Sequence, residues 1–386
     1  MNQKNIVVIL GVIIVFLTGI VVYFTIINKA NQPIDSLAQR QSISSLEKNE
    51  IASTQISAPA IKFEGRYIDV HTHIMPSGMS LEEMIKNMDI EGIDTMIIME
   101  TPTSIYMGKS QEEYGIPSAS EKYPNRFISL YGGEAMTLLD IVIKKGGYTQ
   151  SQEEKYTALL EDAMKSGKYK GFGEIALTHI SLGGVGADVT IPGDHPWMFI
   201  MSDIAAKYDL PIDVHMDVAT ANEGIAGLEK LLDHNKNTKI IWSHTAWSRT
   251  NYKSGSIELM RRLFEKHPNL YSSVKIQTET AFMDGGVGMK QQPQKGTGRG
   301  TKQLSSGNGG TKPPPQQGLT SGINLEWLAL FKEYPERFMM GSDIKPGERP
   351  NEFAYIKAHR KFLEQLPAEI LKQIERNNAK EIFKIN

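Results

Sequence analysis

The chain contains no cysteine among its 386 residues. That absence excludes disulfides, cysteine-ligated zinc, iron–sulfur clusters and thiol nucleophiles. Surplus charge is also lacking: 42 basic side chains against 44 acidic ones leave a net charge of −2. Non-specific nucleic-acid binding runs on a strong cationic surplus, so no nucleic-acid partner is expected. There is no glycine-rich phosphate turn after the first strand-like run, where His71-Thr-His73 stands instead. A doubly wound nucleotide-binding sheet would need that turn. What is present, 40% hydrophobic and 22% charged residues, is the composition of a globular protein with room for one large or two ordinary domains.

Long apolar runs are absent except at the start. Ile6 to Ile27 carry no charge. At about 1.5 Å per helical residue such a run crosses a hydrocarbon core roughly 30 Å thick. It is too long for the apolar part of a cleaved signal, and Asn28-Lys-Ala30 is a poor cleavage site. Residues 1–29 therefore read as an uncleaved, single-pass transmembrane helix with the lipid bilayer as partner. The short leading tail favours placing the bulk of the chain outside the cytoplasm, although Lys4 on one side and Lys29 and Arg40 on the other balance the charge vote. Residues 30–61, rich in Ser, Gln, Ala and Glu, read as a linker or stalk.

From residue 62 to 386 the pattern alternates. Strand-like runs are Tyr67–Ile74, Asp94–Met99, Phe127–Tyr131, Gly171–Leu177, Pro211–Asp217, Lys239–His244, Leu270–Gln277 and Phe338–Ile344. Helical periodicity falls between them at Ser80–Met88 (opened by the capping box Ser80-Leu-Glu-Glu83), Tyr156–Met164, Pro196–Tyr208, Gly224–His234, Ser256–Lys266 and Leu325–Tyr334. Glu352–Gln365 and Pro367–Lys384 read as closing helices. Eight strands, most followed by a helix, predict a single (β/α)₈ TIM barrel. The low-complexity segment 285–322, with Pro313-Pro-Pro315 and Lys290, Lys295, Arg299, Lys302 and Lys312, is a loop insertion on the face that carries chemistry in such barrels. It reads as a solvated insertion, or as a flap that meets an anionic substrate.

The chemistry begins at Tyr67-Ile-Asp-Val-His-Thr-His73. Alternation along a strand puts Asp69, His71 and His73 on one side, and the two imidazoles make a divalent-metal pincer. Later strand ends supply further donors: Glu174 on the fourth strand, His215 on the fifth, His244 on the sixth and Asp343 on the eighth. Singly, each has a bland reading as a hydrogen-bonded core histidine, a helix cap or an ion-pair partner. Together, at strand ends that converge on one barrel mouth, they point to a metal site. His195 in Gly193-Asp-His-Pro196 reads as part of a helix-start turn, His179, past the fourth strand, as a solvent-facing loop residue or a substrate contact, and His234, His267 and His359 as surface residues.

In this order, H-x-H then Glu, His, His and Asp, the chain resembles the amidohydrolase superfamily, and most closely its amidohydrolase-related (amidohydrolase 2) branch of lactone hydrolases and metal-dependent decarboxylases. The matching pieces are Asp69-Val-His-Thr-His73, Gly173-Glu174, Val214-His215, Ser243-His244 and Gly341-Ser-Asp343, with Asn377-Asn-Ala-Lys-Glu-Ile-Phe383 similar to that branch's closing helix. The resemblance covers about residues 63–385 and implies roles. His71, His73 and Asp343 would hold one ion, usually Zn2+, with Mn2+ or a similar ion an alternative. His215 and His244 would hold a second, Glu174 bridging the two. Asp343 would move the proton. Lys275, Gln277 and Asp217 are candidates for substrate contact, and Asp213 for steering.

Three functions follow as expectations. The first is metal-dependent hydrolysis of an ester, lactone or amide of a small molecule. In the second, non-oxidative decarboxylation, one ion on His71, His73, His215 and Asp343 suffices and His244 is free as a proton donor. The third is a membrane-tethered binding barrel without catalysis.

Overall fold

The computed structural model describes residues 66–75, 78–102, 111–179, 188–217, 224–244, 257–275, 322–348 and 352–385. The anchor at 1–29, the linker at 30–61, Gln277 and all of the 285–322 insertion except Gly322 lie outside the described residues. Among the described residues, no helix is long and apolar enough to cross a membrane.

The elements, in chain order, are β1 (Tyr67–His73), α1 (Leu81–Glu91), β2 (Ile93–Met99), α2 (Gln111–Tyr114), α3 (Ile116–Lys122), β3 (Phe127–Tyr131), α4 (Gly133–Lys145), α5 (Gln150–Lys165), β4 (Tyr169–His179), β5 (Val189–Thr190), α6 (Pro196–Tyr208), β6 (Ile212–Met216), α7 (Ile225–His234), β7 (Ile240–Trp242), α8 (Ile257–Lys266), β8 (Leu270–Val274), α9 (Gly322–Glu333), β9 (Phe338–Met340), α10 (Phe353–Leu363), α11 (Ala368–Lys372) and α12 (Asn378–Phe383). Eight strands run parallel in the order β1-β2-β3-β4-β6-β7-β8-β9, with β5 an antiparallel extra on β4. The circle closes past the end of β9. Asp343 N donates to His71 O at 2.8 Å, His73 N donates to Ile344 O at 3.0 Å, and Thr72 bridges Ile344. The result is a nearly closed parallel barrel wrapped by helices, consistent with the (β/α)₈ expectation.

Local chemistry explains the elements. Every residue of β1 is buried, as expected of a parallel strand covered on both faces. Helix α1 starts at the capping box read from the sequence: Ser80 Oγ accepts from Glu83 N, and Glu83 caps Ser80 N in return. Helix α5 starts six residues before the sequence reading, at a second box made by Thr149 and Gln152. His195 is the N-cap of α6, its Nδ1 accepting from Trp197 N at 3.2 Å. Apolar faces of the helices pack on the strands around Tyr156, Phe172, Trp197, Trp242 and Phe338. The closing helix α12 brings Ala379, Ile382 and Phe383 against Ile68, Val70, Ile97, Leu130, Ile241 and Met339. Two histidines expected on the surface are buried instead: His267 against Glu229 at 3.3 Å, and His359 on α10. Each ends a helix or faces inward from one, and position beside a helix says nothing about its inner face. His179 is not a loop residue but the last residue of β4, its ring 5.1 Å from that of His215.

Candidate metal centre

The six residues expected as ligands meet at one end of the barrel. His71 and His73 come from β1, Glu174 from within β4, and His215 from β6. His244 and Asp343 lie just past β7 and β9. Both have left-handed backbones, with φ of +70° and +53°, so each strand turns as it delivers its side chain. Such a conformation costs a non-glycine residue free energy and is found where side-chain placement demands it.

The donor atoms are closely spaced. His73 Nε2 lies 3.0 Å from Asp343 Oδ1 and 3.4 Å from Glu174 Oε2. His71 Nε2 lies 3.5 Å from Glu174 Oε1 and 3.9 Å from Asp343 Oδ1. His244 Nε2 lies 3.4 Å from Glu174 Oε1 and 3.8 Å from Asp343 Oδ2. His215 Nδ1 meets Glu174 Oε1 at 2.6 Å, and its Nε2 lies 3.3 Å from Asp217 Oδ1. The Lys275 ammonium, at the end of β8, contacts Asp343 Oδ2. Two triads have the spacing of a metal site: His71, His73 and Asp343, and His71, Glu174 and His244.

These residues fit a divalent ion. Nitrogen and carboxylate donors about 2.0–2.2 Å from one cation stand roughly 3–3.5 Å from their neighbours in the coordination shell. Most of the separations above are of that size. His71 Nε2 is buried with no hydrogen-bond partner, though it faces two carboxylates; a buried polar atom in that condition is costly unless something else satisfies it. Imidazole and carboxylate donors without sulfur suit zinc, manganese and similar ions.

Electrostatics divide the histidines. Burial holds His244 down at about 3, beyond what Asp343 can offset, so its ring is neutral and its lone pair available. Burial also opposes charge on His215, but Glu174 and Asp217 outweigh it and push the ring up to about 9. Burial is likewise overcome at His71, raised by Asp213 and Glu174. Glu174 is held well below the usual carboxylate range against burial by His71 and His215. Asp343 is held low in the same way by Lys275 and His244. Without an ion, protons on His71 and His215 take its place.

Asp69 does not join the pincer. β1 shifts register between Asp69 and Thr72, and Asp69 accepts from Ser342 N and Oγ, tying β1 to the residue before Asp343. Asp217 is buried against His215. Asp213 is fully buried one step deeper on the same strand, against His71.

The sequence reading gave no role to three serines at strand ends. Ser243 and Ser342 contact Asp213 and Asp69, and Ser273 Oγ accepts from His244 N at 3.3 Å. It also passed over Glu100, a buried carboxylate directly after the apolar run of β2 and packed against Gly133. Charge immediately following an apolar strand was the available signal for Glu100.

No family profile matches the chain, and a search of curated proteins finds no match. Solved structures of similar shape include a 2,6-dihydroxybenzoate decarboxylase from Rhizobium (13% identity, 83% of this chain and 99% of that one, TM-score 0.47). A 5-carboxyvanillate decarboxylase from Novosphingobium aromaticivorans with bound manganese is similar at 11% identity, over 83% and 97% of the two chains, TM-score 0.47. A probable 2-pyrone-4,6-dicarboxylic acid hydrolase from Acinetobacter baumannii is similar at 12% identity, over 83% and 99%, TM-score 0.46. Likeness at this level carries no chemistry across, and function rests on this chain's own side chains.

Proposed function

We propose that this barrel is a metal-dependent hydrolase that uses activated water on an ester, lactone or amide of a small molecule. The observation that carries the reading is the placement of Glu174. Its Oε2 faces His73 at 3.4 Å, while its Oε1 faces His215 at 2.6 Å and His244 at 3.4 Å. His71 Nε2 also faces Oε1, at 3.5 Å, so four imidazoles gather around this one carboxylate. In the two-ion reading His71, His73 and Asp343 hold one ion, His215 and His244 the other, and Glu174 stands between them. That is the arrangement a two-ion water activator uses.

A divalent ion here supplies Lewis acidity and lowers the pKa of water towards about 7. The chain's own residues do the rest. Asp343 has the most accessible side chain of the six, at 15%, and Lys275 beside it keeps it ionised. It accepts a proton from water as the water oxygen bonds to the acyl carbon. It then gives that proton to the departing oxygen or nitrogen as the old bond to carbon breaks. Buried walls on the other side keep bulk water from the ligand rings.

A second reading is favoured by one feature: His71 belongs to both triads, and its single Nε2 lone pair serves one ion only. A one-ion centre on His71, His73, His215 and Asp343 suits decarboxylation of a carboxylic acid, with His244, neutral in the ion-free chain, taking up the proton that it then donates.

The test is elemental analysis of the purified chain loaded with zinc or manganese, then a screen of lactones, esters, amides and carboxylic acids. Two ions per chain and hydrolysis support the first reading. One ion and carbon dioxide release support the second. Asp343→Asn, with circular dichroism unchanged, is expected to lower turnover by about 10²–10⁴; unchanged turnover refutes its assigned role.

A further inference from the structure

We infer that Asp213 and Ser243 are a positioning pair that commits the Nδ1 proton of His71, leaving Nε2 as the atom offered to a cation. The inference rests on the metal-centre reading and adds residues to it that are not ligands. Around His71 Nδ1 stand Ser243 Oγ at 3.2 Å and both Asp213 oxygens at 3.4 Å. A carboxylate has only lone pairs to give. Ser243 has one hydroxyl proton, and it is spent on Asp213 Oδ1 at 2.6 Å, so towards His71 the serine also presents a lone pair. Every group facing Nδ1 is an acceptor. The ring therefore keeps its hydrogen on Nδ1 when it becomes neutral, and its free lone pair is on Nε2, the buried atom without a hydrogen-bond partner.

The opposite tautomer would press a ring lone pair against three oxygen atoms in a place shut off from water: Asp213 and His71 are 0% exposed and Ser243 is 1% exposed. The pair is itself anchored, because Ser243 N donates to Val214 O at 2.9 Å, fastening the end of β7 to β6. His73 obtains the same tautomer differently, its Nδ1 lying 3.2 Å from the main-chain Met99 O. At His71, unlike at His73, the partner is a charged side chain, which also makes the ring a stronger donor.

The experiment titrates zinc into the full-length wild-type chain and into Asp213→Asn, Ser243→Ala and Ser243→Thr, following heat and thermal midpoint, and records the imidazole ¹⁵N spectrum of the zinc-loaded wild type. Asp213→Asn is close to isosteric and is expected to bind zinc roughly 10–100-fold more weakly. Ser243→Ala should lose less, and Ser243→Thr should recover it. The zinc-free Asp213→Asn chain should melt lower, because the buried charge that raises His71 is gone, so the titrated affinity and the nitrogen spectrum, not the zinc-free midpoint, read the positioning. The spectrum should show His71 protonated on Nδ1. Equal zinc affinity in the wild type and Asp213→Asn, or a His71 bound through Nδ1, overturns the pair while leaving the metal centre standing. A wild-type chain that takes up no divalent ion overturns the metal-centre reading and this inference with it. Should Asp213→Asn fail to fold, the wild-type spectrum alone decides.

Discussion

Gly341 lies where a side chain would press on the histidine pincer. A Cβ there would stand 2.8 Å from Ser273 Cβ and 3.1 Å from His71 Cβ. Neither neighbour can move cheaply. Ser273 accepts from the backbone of His244, and His71 is fully buried between Asp213 and Glu174. Overpacking of this kind costs about 1–3 kcal/mol. Its effect would reach the site from two sides, since His71 and His244 both depend on what Gly341 leaves open. Gly341→Ala is therefore expected to lower the thermal midpoint and also to weaken divalent-ion binding. A melt followed by circular dichroism and a zinc titration would check both, and a variant with wild-type values in each would show that the barrel yields here at no cost.

Among the elements, the C-terminal helices act as a clasp on the barrel. Asn378 at the start of α12 donates to Pro335 O and Phe338 O, both at 2.7 Å, holding the entry to β9. The turn before it buries Glu375 beside Arg360, which also stacks 4.9 Å over the Tyr67 ring on β1. Burial pushes Glu375 up to about 7, more than Arg360 can offset. The folded chain then keeps a proton that the unfolded chain releases near its ordinary value of 4.5. Stability contributed by this group is present below pH 4.5 and is lost as pH rises towards 7, by up to roughly 3 kcal/mol. Glu375→Gln should leave stability at pH 5 nearly unchanged and raise it at pH 8, in urea melts at the two values. An equal effect at both would refute the assignment. This clasp was legible only as two closing helices, because Glu375 reads as one more surface charge until its partners are in place. Elsewhere, elements with a boundary signal could be read closely. Pro196 at the first turn gave α6 its start, and Phe127–Tyr131 is bounded by Asn125-Arg126 and Gly132-Gly133. Helix α4 was missed because it opens at Gly132-Gly133 with no capping side chain. Strands β7 and β9 were read too long, to His244 and Ile344, since composition stays strand-like where the backbone turns to present His244 and Asp343. The convergence of the six polar residues was readable from their shared place at strand ends. Their supports, Asp213 with Ser243 and Asp69 with Ser342, were not, because those contacts join strands far apart in sequence.

For the whole molecule, the candidate ligands come from β1, β4 and β6 and from the ends of β7 and β9, so a bound ion fastens both sides of the closed circle together. An ion that binds only the folded chain stabilises it by about 2.7 kcal/mol at a hundredfold excess over its Kd. In a chain this size, that is a rise of roughly 3–4 °C in thermal midpoint. Protons oppose the ion. The His215 ring is raised to about 9 between Glu174 and Asp217, and its proton must leave before Nδ1 can serve as a ligand. In the ion-free chain this histidine contributes stability that is fully present below its unfolded value of about 6.5 and is lost as pH rises through about 9. Ion-free and zinc-loaded chains should accordingly diverge: between pH 6 and pH 9 the chelated protein's midpoint falls, while the gain on adding zinc grows. Differential scanning calorimetry with and without a chelator, at pH 6, 7.5 and 9, measures both trends. A zinc-induced gain that is absent at every pH would remove the metal centre, whereas a gain that does not change with pH would remove from it both histidines that carry a proton in the ion-free chain, His71 and His215.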